Sequence, residues 1–192
     1  MVGPMREIWL IRHGETEWSR LGRHTGRTDL PLTEEGERQA LALGAYLGAR
    51  PFALVLTSPL RRARETCQLA GYGGIARNTH DLLEWDYGAY EGRLTVDIRA
   101  EVPGWTIWTG AVPGGETADA VGARARRVLA EAERADGDVA LFAHGHVLRV
   151  LAACWLGLPP ASGQFFALGT ASCCVLGHEL DARVLRLWNR SP

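Results

Sequence analysis

Three short stretches of the 192-residue chain set ionisable side chains directly behind apolar runs. Arg12-His13-Gly14-Glu15-Thr16 follows Ile8-Trp9-Leu10-Ile11. Ser58-Pro59-Leu60-Arg61-Arg62 follows Ala53-Leu54-Val55-Leu56-Thr57. His144-Gly145-His146 follows Val139-Ala140-Leu141-Phe142-Ala143. Guanidinium groups offer planar forks of donors to carboxylate or phosphate oxygens, and a glycine lets the backbone come close to a ligand. Two arginines, two histidines and a helix end describe a pocket for a compact dianion, and phosphate fits best. A histidine in such a cradle can attack phosphorus itself, giving a phosphohistidine that water later discharges. The arginines would spread the charge of the transferring group. A leaving alkoxide needs a proton, and Glu84, in a turn flanked by Leu83 and Trp85, is the natural donor. Asp86 and Glu91 compete with it for that role.

These groups meet only if the three apolar runs are parallel strands of one sheet, because ligands of open α/β sheets collect at the carboxyl edge. Each run is short and β-branched or aromatic, which reads as a buried strand. Thr33 followed by Glu34 and Glu35 opens a helix to about Ala49, with Ala40, Leu43 and Leu47 inward. Ser58-Pro59 reads as the cap and first turn of a helix carrying Arg61, Arg62 and Arg64. Thr117 caps the longest helix, with Val121, Ala125, Val128, Leu129 and Ala132 at helical spacing. Another helix is expected over Val147–Leu156, ending at Gly157. Thr16–Pro31 reads as a polar loop, Thr95–Glu101 as a short helix, and Gln164–Leu168 as a further strand. Ser172–Leu176 and Val184–Trp188 read as a closing hairpin. The expected fold is α/β, a three-layer α/β/α sandwich with a mainly parallel sheet and an antiparallel edge, in one domain over residues 1–192.

Composition narrows the partners. A formal charge of −1 gives no bulk attraction to nucleic acid or to anionic membranes. No stretch has the apolar length needed to span a bilayer. Met1–Arg6 shows no secretory signal, and the four cysteines suit buried thiols, so a cytoplasmic location is expected. Oligomeric state is left open, with Val184–Trp188 a candidate pairing edge. No cofactor is expected. His144 and His146 would need a third ligand to hold zinc, and nothing nominates one. There is no GxxxxGK[ST] loop for nucleotide phosphates.

Arg12-His13-Gly14-Glu15-Thr16 resembles the signature of the histidine phosphatase, or phosphoglycerate mutase-like, superfamily. Thr25-Gly26 and Asp29-Leu30-Pro31-Leu32-Thr33 continue the likeness. Ser58-Pro59-Leu60-Arg61-Arg62-Ala63 is similar to the segment that supplies a second phosphate-gripping arginine, at Arg62. Leu83-Glu84-Trp85-Asp86-Tyr87-Gly88 resembles the acid-bearing segment, and Ala143-His144-Gly145-His146 the second histidine. The resemblance implies a phosphohistidine at His13, with Arg12, Arg62 and His144 on the phosphate and Glu84 as proton donor. It also implies that Ser19, Thr25, Gly26, Gly145 and His146 surround the phosphate or substrate.

Within the superfamily the chain looks more like the branch of sedoheptulose bisphosphatase and broad-specificity acid phosphatases than like the mutases. Mutases usually have Asn where His146 stands and carry further basic residues in a longer middle segment, where this chain has mainly Arg93 and Arg99. A phosphatase of small phosphomonoesters, sugar phosphates foremost, is therefore expected. A cofactor-dependent phosphoglycerate mutase and a non-catalytic phospholigand-binding module are the alternatives. Trp18, Trp85, Trp105 and Trp108 are read as core or lid packing rather than substrate contacts. His24, His80 and His178 receive no role.

Overall fold

A computed structural model describes residues 6–192. The reading of Met1–Arg6 falls almost wholly outside the described residues. The strands are β1 (Ile8–Arg12), β2 (Leu54–Thr57), β3 (Arg77–Asn78), β4 (Val139–Ala143), β5 (Cys173–Glu179) and β6 (Ala182–Arg190). They form one sheet in the order β3-β2-β4-β1-β5-β6. The first four are mutually parallel, and β5 and β6 run antiparallel at one edge. The helices are α1 (Glu17–Arg20), α2 (Glu34–Leu47), α3 (Arg61–Leu69), α4 (Thr95–Glu101), α5 (Ala118–Ala132) and α6 (Gly145–Trp155). Among the described residues, no helix is long and apolar enough to cross a membrane.

Successive strand residues point to opposite faces, and the apolar residues divide accordingly. Ile8 and Leu10 of β1, with Val139, Leu141 and Ala143 of β4, join Val121, Val128, Leu148 and Leu151 of α5 and α6 in one core. Trp9 and Ile11, with Ala140 and Phe142, join Leu43, Leu47 and Cys67 of α2 and α3 in the other. Both faces of β4 are buried throughout, as expected of a central parallel strand. The three-layer α/β reading agrees with this arrangement.

Several local expectations differ from the structure. Gln164–Leu168 is not a strand. A 3-10 turn covers Pro160–Phe165, because Pro159-Pro160 fixes φ and withholds ladder donors. Phe165 is then 76% exposed. The Thr16–Pro31 loop contains α1, closed by a capping box between Thr16 and Ser19. Ser58 does not cap α3, which begins two residues later than a Ser58 cap would set it and takes Asp29 Oδ1 on its Arg61 N–H instead (2.6 Å). Helix α6 begins at Gly145, directly after His144, and not at Val147. Helix α2 stops at Leu47, where Gly48 turns to φ 60°. All four cysteines are buried and free, and burial pushes the Cys67 thiol up to about 12.

Candidate active site

The pleat decides where the motif side chains go. Arg12 continues the β1 face that packs on α6, and a Cβ added at Gly145 would lie 3.3 Å from the Arg12 guanidinium carbon. His13 continues the opposite face, toward α3. Arg12 and Ala143 are register partners, so the next residue on each strand brings His13 beside His144. Their ring centroids are 5.1 Å apart. Gly14 is required for this bend, since a Cβ there would come within 2.3 Å of the Gly36 carbonyl oxygen. Its N–H donates to Thr66 Oγ1 (3.0 Å), and that hydroxyl donates to the Arg62 carbonyl. Helix α3 is thereby tied to the His13 turn.

His13 is held as one tautomer. Its Nδ1 lies 2.7 Å from the Gly14 carbonyl, which can only accept, so Nδ1 carries the proton and Nε2 the lone pair. Burial, then Arg62 and Arg12, keep the imidazole well below its ordinary range for protonation. The result is a neutral imidazole with an unprotonated nitrogen in a cationic surround. His144 is also held neutral by burial and by Arg62. Its Nδ1 accepts from Arg62 Nε (3.1 Å), so its Nε2–H donates to Ser58 Oγ (2.7 Å).

Arg62 is fully buried. Besides His144 it donates to the carbonyls of Thr25, Gly26 and Thr28. Those carbonyls are presented by a loop whose Gly26 and Thr28 N–H groups both donate to the Glu91 carboxylate. Arg12 donates through Nη1 to the Leu168 carbonyl, but its Nε is buried without a partner. An unpaired buried donor of this kind calls for an acceptor.

Glu84 is 4% exposed and sits at the start of α6, where the His146 and Val147 N–H groups donate to it, as does that of Trp85. Arg124 holds the segment from behind. It donates to the carbonyls of Asp81, Leu83 and Glu84 and to the Glu116 carboxylate, while Glu116 accepts from the Asp86 N–H. Tyr87 stays a phenol, because burial and Glu84 push its ionisation well above the usual range. Its hydroxyl is hydrogen-bonded to His146 Nδ1 (2.6 Å).

Arg12, His13, Ser19, Thr25, Glu84, Gly145 and His146 line one cleft of about 360 Å³. A larger hollow of about 610 Å³ runs along α3 past Arg61 and Asn78 and includes neither His13 nor Glu84. The sequence profile of the histidine phosphatase superfamily (branch 1) matches residues 8–191. The chain belongs to that superfamily.

The chain is 43% identical to an acid phosphatase of Mycobacterium tuberculosis (strain ATCC 25618 / H37Rv) over 182 residues, covering 93% of this chain and 89% of the relative. It is 38% identical to the sedoheptulose 1,7-bisphosphatase of Saccharomyces cerevisiae (strain ATCC 204508 / S288c), covering 78% and 67% respectively. The solved structure of the open reading frame Rv3214 product from Mycobacterium tuberculosis superposes with a TM-score of 0.92 at 41% identity, over 97% of this chain and 98% of that one.

Not every expected site residue lines the cleft. Arg62 and His144 lie behind the wall, and Gly26 gives its carbonyl to Arg62 and its N–H to Glu91 at a position where a Cβ would strike the Trp85 carbonyl at 2.6 Å. Of the three acids in the segment, Glu84 alone lines the cleft: Asp86 accepts from the Gly88 N–H, and Glu91 holds the Thr25–Thr28 loop. The tryptophans divide. Trp85 is core, Trp18 packs over Gly92, and Trp105 and Trp108 line the cleft while packing beneath it. His24, given no role by the sequence, also lines the cleft, 3.1 Å from Thr95 Oγ1 and stacked near Tyr87. Its position just before Thr25-Gly26 was the one signal for it. Arg124 and Glu116 left none, since their partners are distant along the chain.

Proposed function

We propose that this chain is one histidine phosphatase domain, residues 1–192, acting as a metal-independent hydrolase of small phosphomonoesters, sugar phosphates foremost. The observation that carries the reading is the His13 imidazole, which is neutral, fixed through Nδ1–H on Gly14 and open at Nε2. In the first step Nε2 attacks phosphorus as the bond to the leaving oxygen breaks, and the Glu84 carboxyl gives that oxygen its proton. In the second step water attacks phosphorus and loses its proton to the Glu84 carboxylate. The nitrogen–phosphorus bond breaks and inorganic phosphate leaves.

The orphaned Arg12 Nε supplies a donor to a phosphoryl oxygen, and Arg62 adds charge from behind. Nonbridging oxygens need such donors most while the group is in transfer. His144 fixes Arg62 through Nδ1 and walls the nucleophile. These guanidinium groups take the place a cation would fill, and among the described residues no group of three or more His, Cys, Asp or Glu is disposed to hold a metal. Phosphatase relatives at 43% and 38% identity support the same chemistry.

The test is hydrolysis of p-nitrophenyl phosphate by His13→Ala, with chelator added to both proteins. Turnover should persist in the parent and vanish in the variant while the fold survives. Unchanged turnover in the variant would refute the nucleophile, and loss in the chelated parent would refute metal independence. With 3-phosphoglycerate and a trace of 2,3-bisphosphoglycerate the product should be inorganic phosphate. 2-Phosphoglycerate would mark a mutase.

A further inference from the structure

The tautomer of the nucleophile hangs on a single carbonyl. His13 Nδ1–H donates to the Gly14 oxygen (2.7 Å), and that carbonyl belongs to the peptide joining Gly14 to Glu15. A trans peptide is planar, with its C=O and N–H pointing opposite ways. Whatever grips the Glu15 N–H therefore aims the Gly14 carbonyl. The grip comes from α2, where Gln39 Oε1 accepts from the Glu15 N–H at 2.9 Å. Gln39 does not line the cleft. Its reach to His13 runs through one peptide plane.

Two glycines bring α2 close enough. A Cβ at Gly14 would stand 2.3 Å from the Gly36 carbonyl oxygen, and one at Gly36 would stand 2.1 Å from that of Glu15. The first turn of α2 thus lies backbone to backbone on the Gly14–Glu15 peptide. The Thr33 N–H secures the approach by donating to the Glu15 carbonyl (3.0 Å). Gln39 follows Gly36 by three residues and shares its face of the helix.

The Gln39 amide is fixed in one orientation. Its Oε1 must accept, because the Glu15 N–H can only donate, and its Nε2 then donates to Glu35 Oε1 (3.3 Å). The other Glu35 oxygen pairs with Arg38 (2.6 Å). Hydrogen bonds therefore run in a line from the Glu35 carboxylate through the Gln39 amide and the Gly14–Glu15 peptide to the His13 imidazole. Each amide in such a line polarises the next, which builds electron density on the Gly14 oxygen. A stronger acceptor there holds the proton on Nδ1 and makes Nε2 more basic.

We infer that Gln39 is a positioning residue for the phosphorylation step, acting on His13 through the Gly14–Glu15 peptide. This rests on the reading of His13 as nucleophile.

The experiment compares Gln39→Met, which keeps the side-chain length and loses the acceptor, with Gln39→Glu, which keeps the acceptor. One lost hydrogen bond predicts that kcat/KM on p-nitrophenyl phosphate falls about tenfold in Gln39→Met and stays within about twofold of the parent in Gln39→Glu. Two further readouts separate positioning from a loosened fold. Competitive inhibition by inorganic phosphate should stay within about twofold of the parent in both variants, since Arg12 and Arg62 keep their contacts. Long-range proton–nitrogen NMR with nitrogen-labelled histidine should place the His13 proton on Nδ1 in the parent and in Gln39→Glu, and partly on Nε2 in Gln39→Met. Unchanged kcat/KM in Gln39→Met, a loss matched by weaker phosphate inhibition, or a Gln39→Glu as slow as Gln39→Met overturns the assignment, while turnover by the parent keeps the phosphatase reading. A parent with its His13 proton on Nε2 overturns the assignment without any variant. A parent that turns over no p-nitrophenyl phosphate overturns the reading and the assignment together.

Discussion

His13 and His144 stand edge to face, with ring centroids 5.1 Å apart and planes at 60°. Nothing local in either motif brings them together. The parallel register of β1 with β4 does so, by pairing Arg12 with Ala143 and sending the next residue of each strand to the same face. The distance between the rings is close to the spacing of neighbouring strands. A one-residue slip in that pairing would turn one imidazole to the α6 face and dissolve the site.

Replacing Glu84 separates proton donation from phosphoryl capture. Glu84→Gln should slow alkyl phosphates by about 10²-fold or more, since a poor leaving group needs the acid. p-Nitrophenyl phosphate, whose leaving group departs without a proton, should lose far less. Equal losses on both, read from kcat/KM, which leaves out the shared dephosphorylation step, would contradict the assignment of the acid.

Arg124 is predicted to act on the same step at one remove. It is 6% exposed, and its fork spans Glu116 and three carbonyls of the acid-bearing segment. Arg124→Met takes the donor from three carbonyls and leaves Glu116 with the Asp86 N–H and Arg27 at 3.7 Å, and should cost about 1–3 kcal/mol in denaturant unfolding. In the fraction that folds, the loss on alkyl phosphates should exceed that on p-nitrophenyl phosphate, as for Glu84→Gln. A purely structural role would lower both equally.

The buried histidines give a pH signature with a definite sign. His13, His144 and His146 all protonate well below the ordinary 6.5, chiefly because of burial. The unfolded chain therefore binds protons before the folded one does. Stability from these groups is fully present above about pH 6.5 and is lost as pH falls toward their folded values. Tm should be level between about pH 7 and 8 and drop on the acid side, with a smaller drop in His144→Ala. The same shift leaves His13 unprotonated below pH 6.5, so kcat/KM should hold there rather than halve. A half-loss of kcat/KM centred on pH 6.5 would contradict the environment described for His13.

Much of this was legible in the sequence because the information is local. Apolar strands that end in Arg12-His13 and His144-Gly145 declare both the sheet and its reactive edge. Thr33 and Thr117 declare their helices as N-caps and accept from Gly36 and Ala120 as expected. What escaped depends on tertiary contact. Phe165-Phe166 looks like strand, yet the prolines before it commit that stretch to 3-10 turns, and among the described residues no strand pairs with it. Ser58 looks like a cap but is taken by the His144 Nε2–H. The cleft positions of His24 and Arg149 and the Arg124 clamp follow from chain crossings that spacing does not encode.

The central claim is that phosphorus passes through nitrogen, and trapping that species tests it most directly. After rapid quench in base with p-nitrophenyl phosphate, mass spectrometry should find an acid-labile phosphoryl group on the peptide containing His13, formed at the rate of the p-nitrophenol burst. A phosphoryl group on any other residue, or a stoichiometric burst with none on His13, would contradict the account.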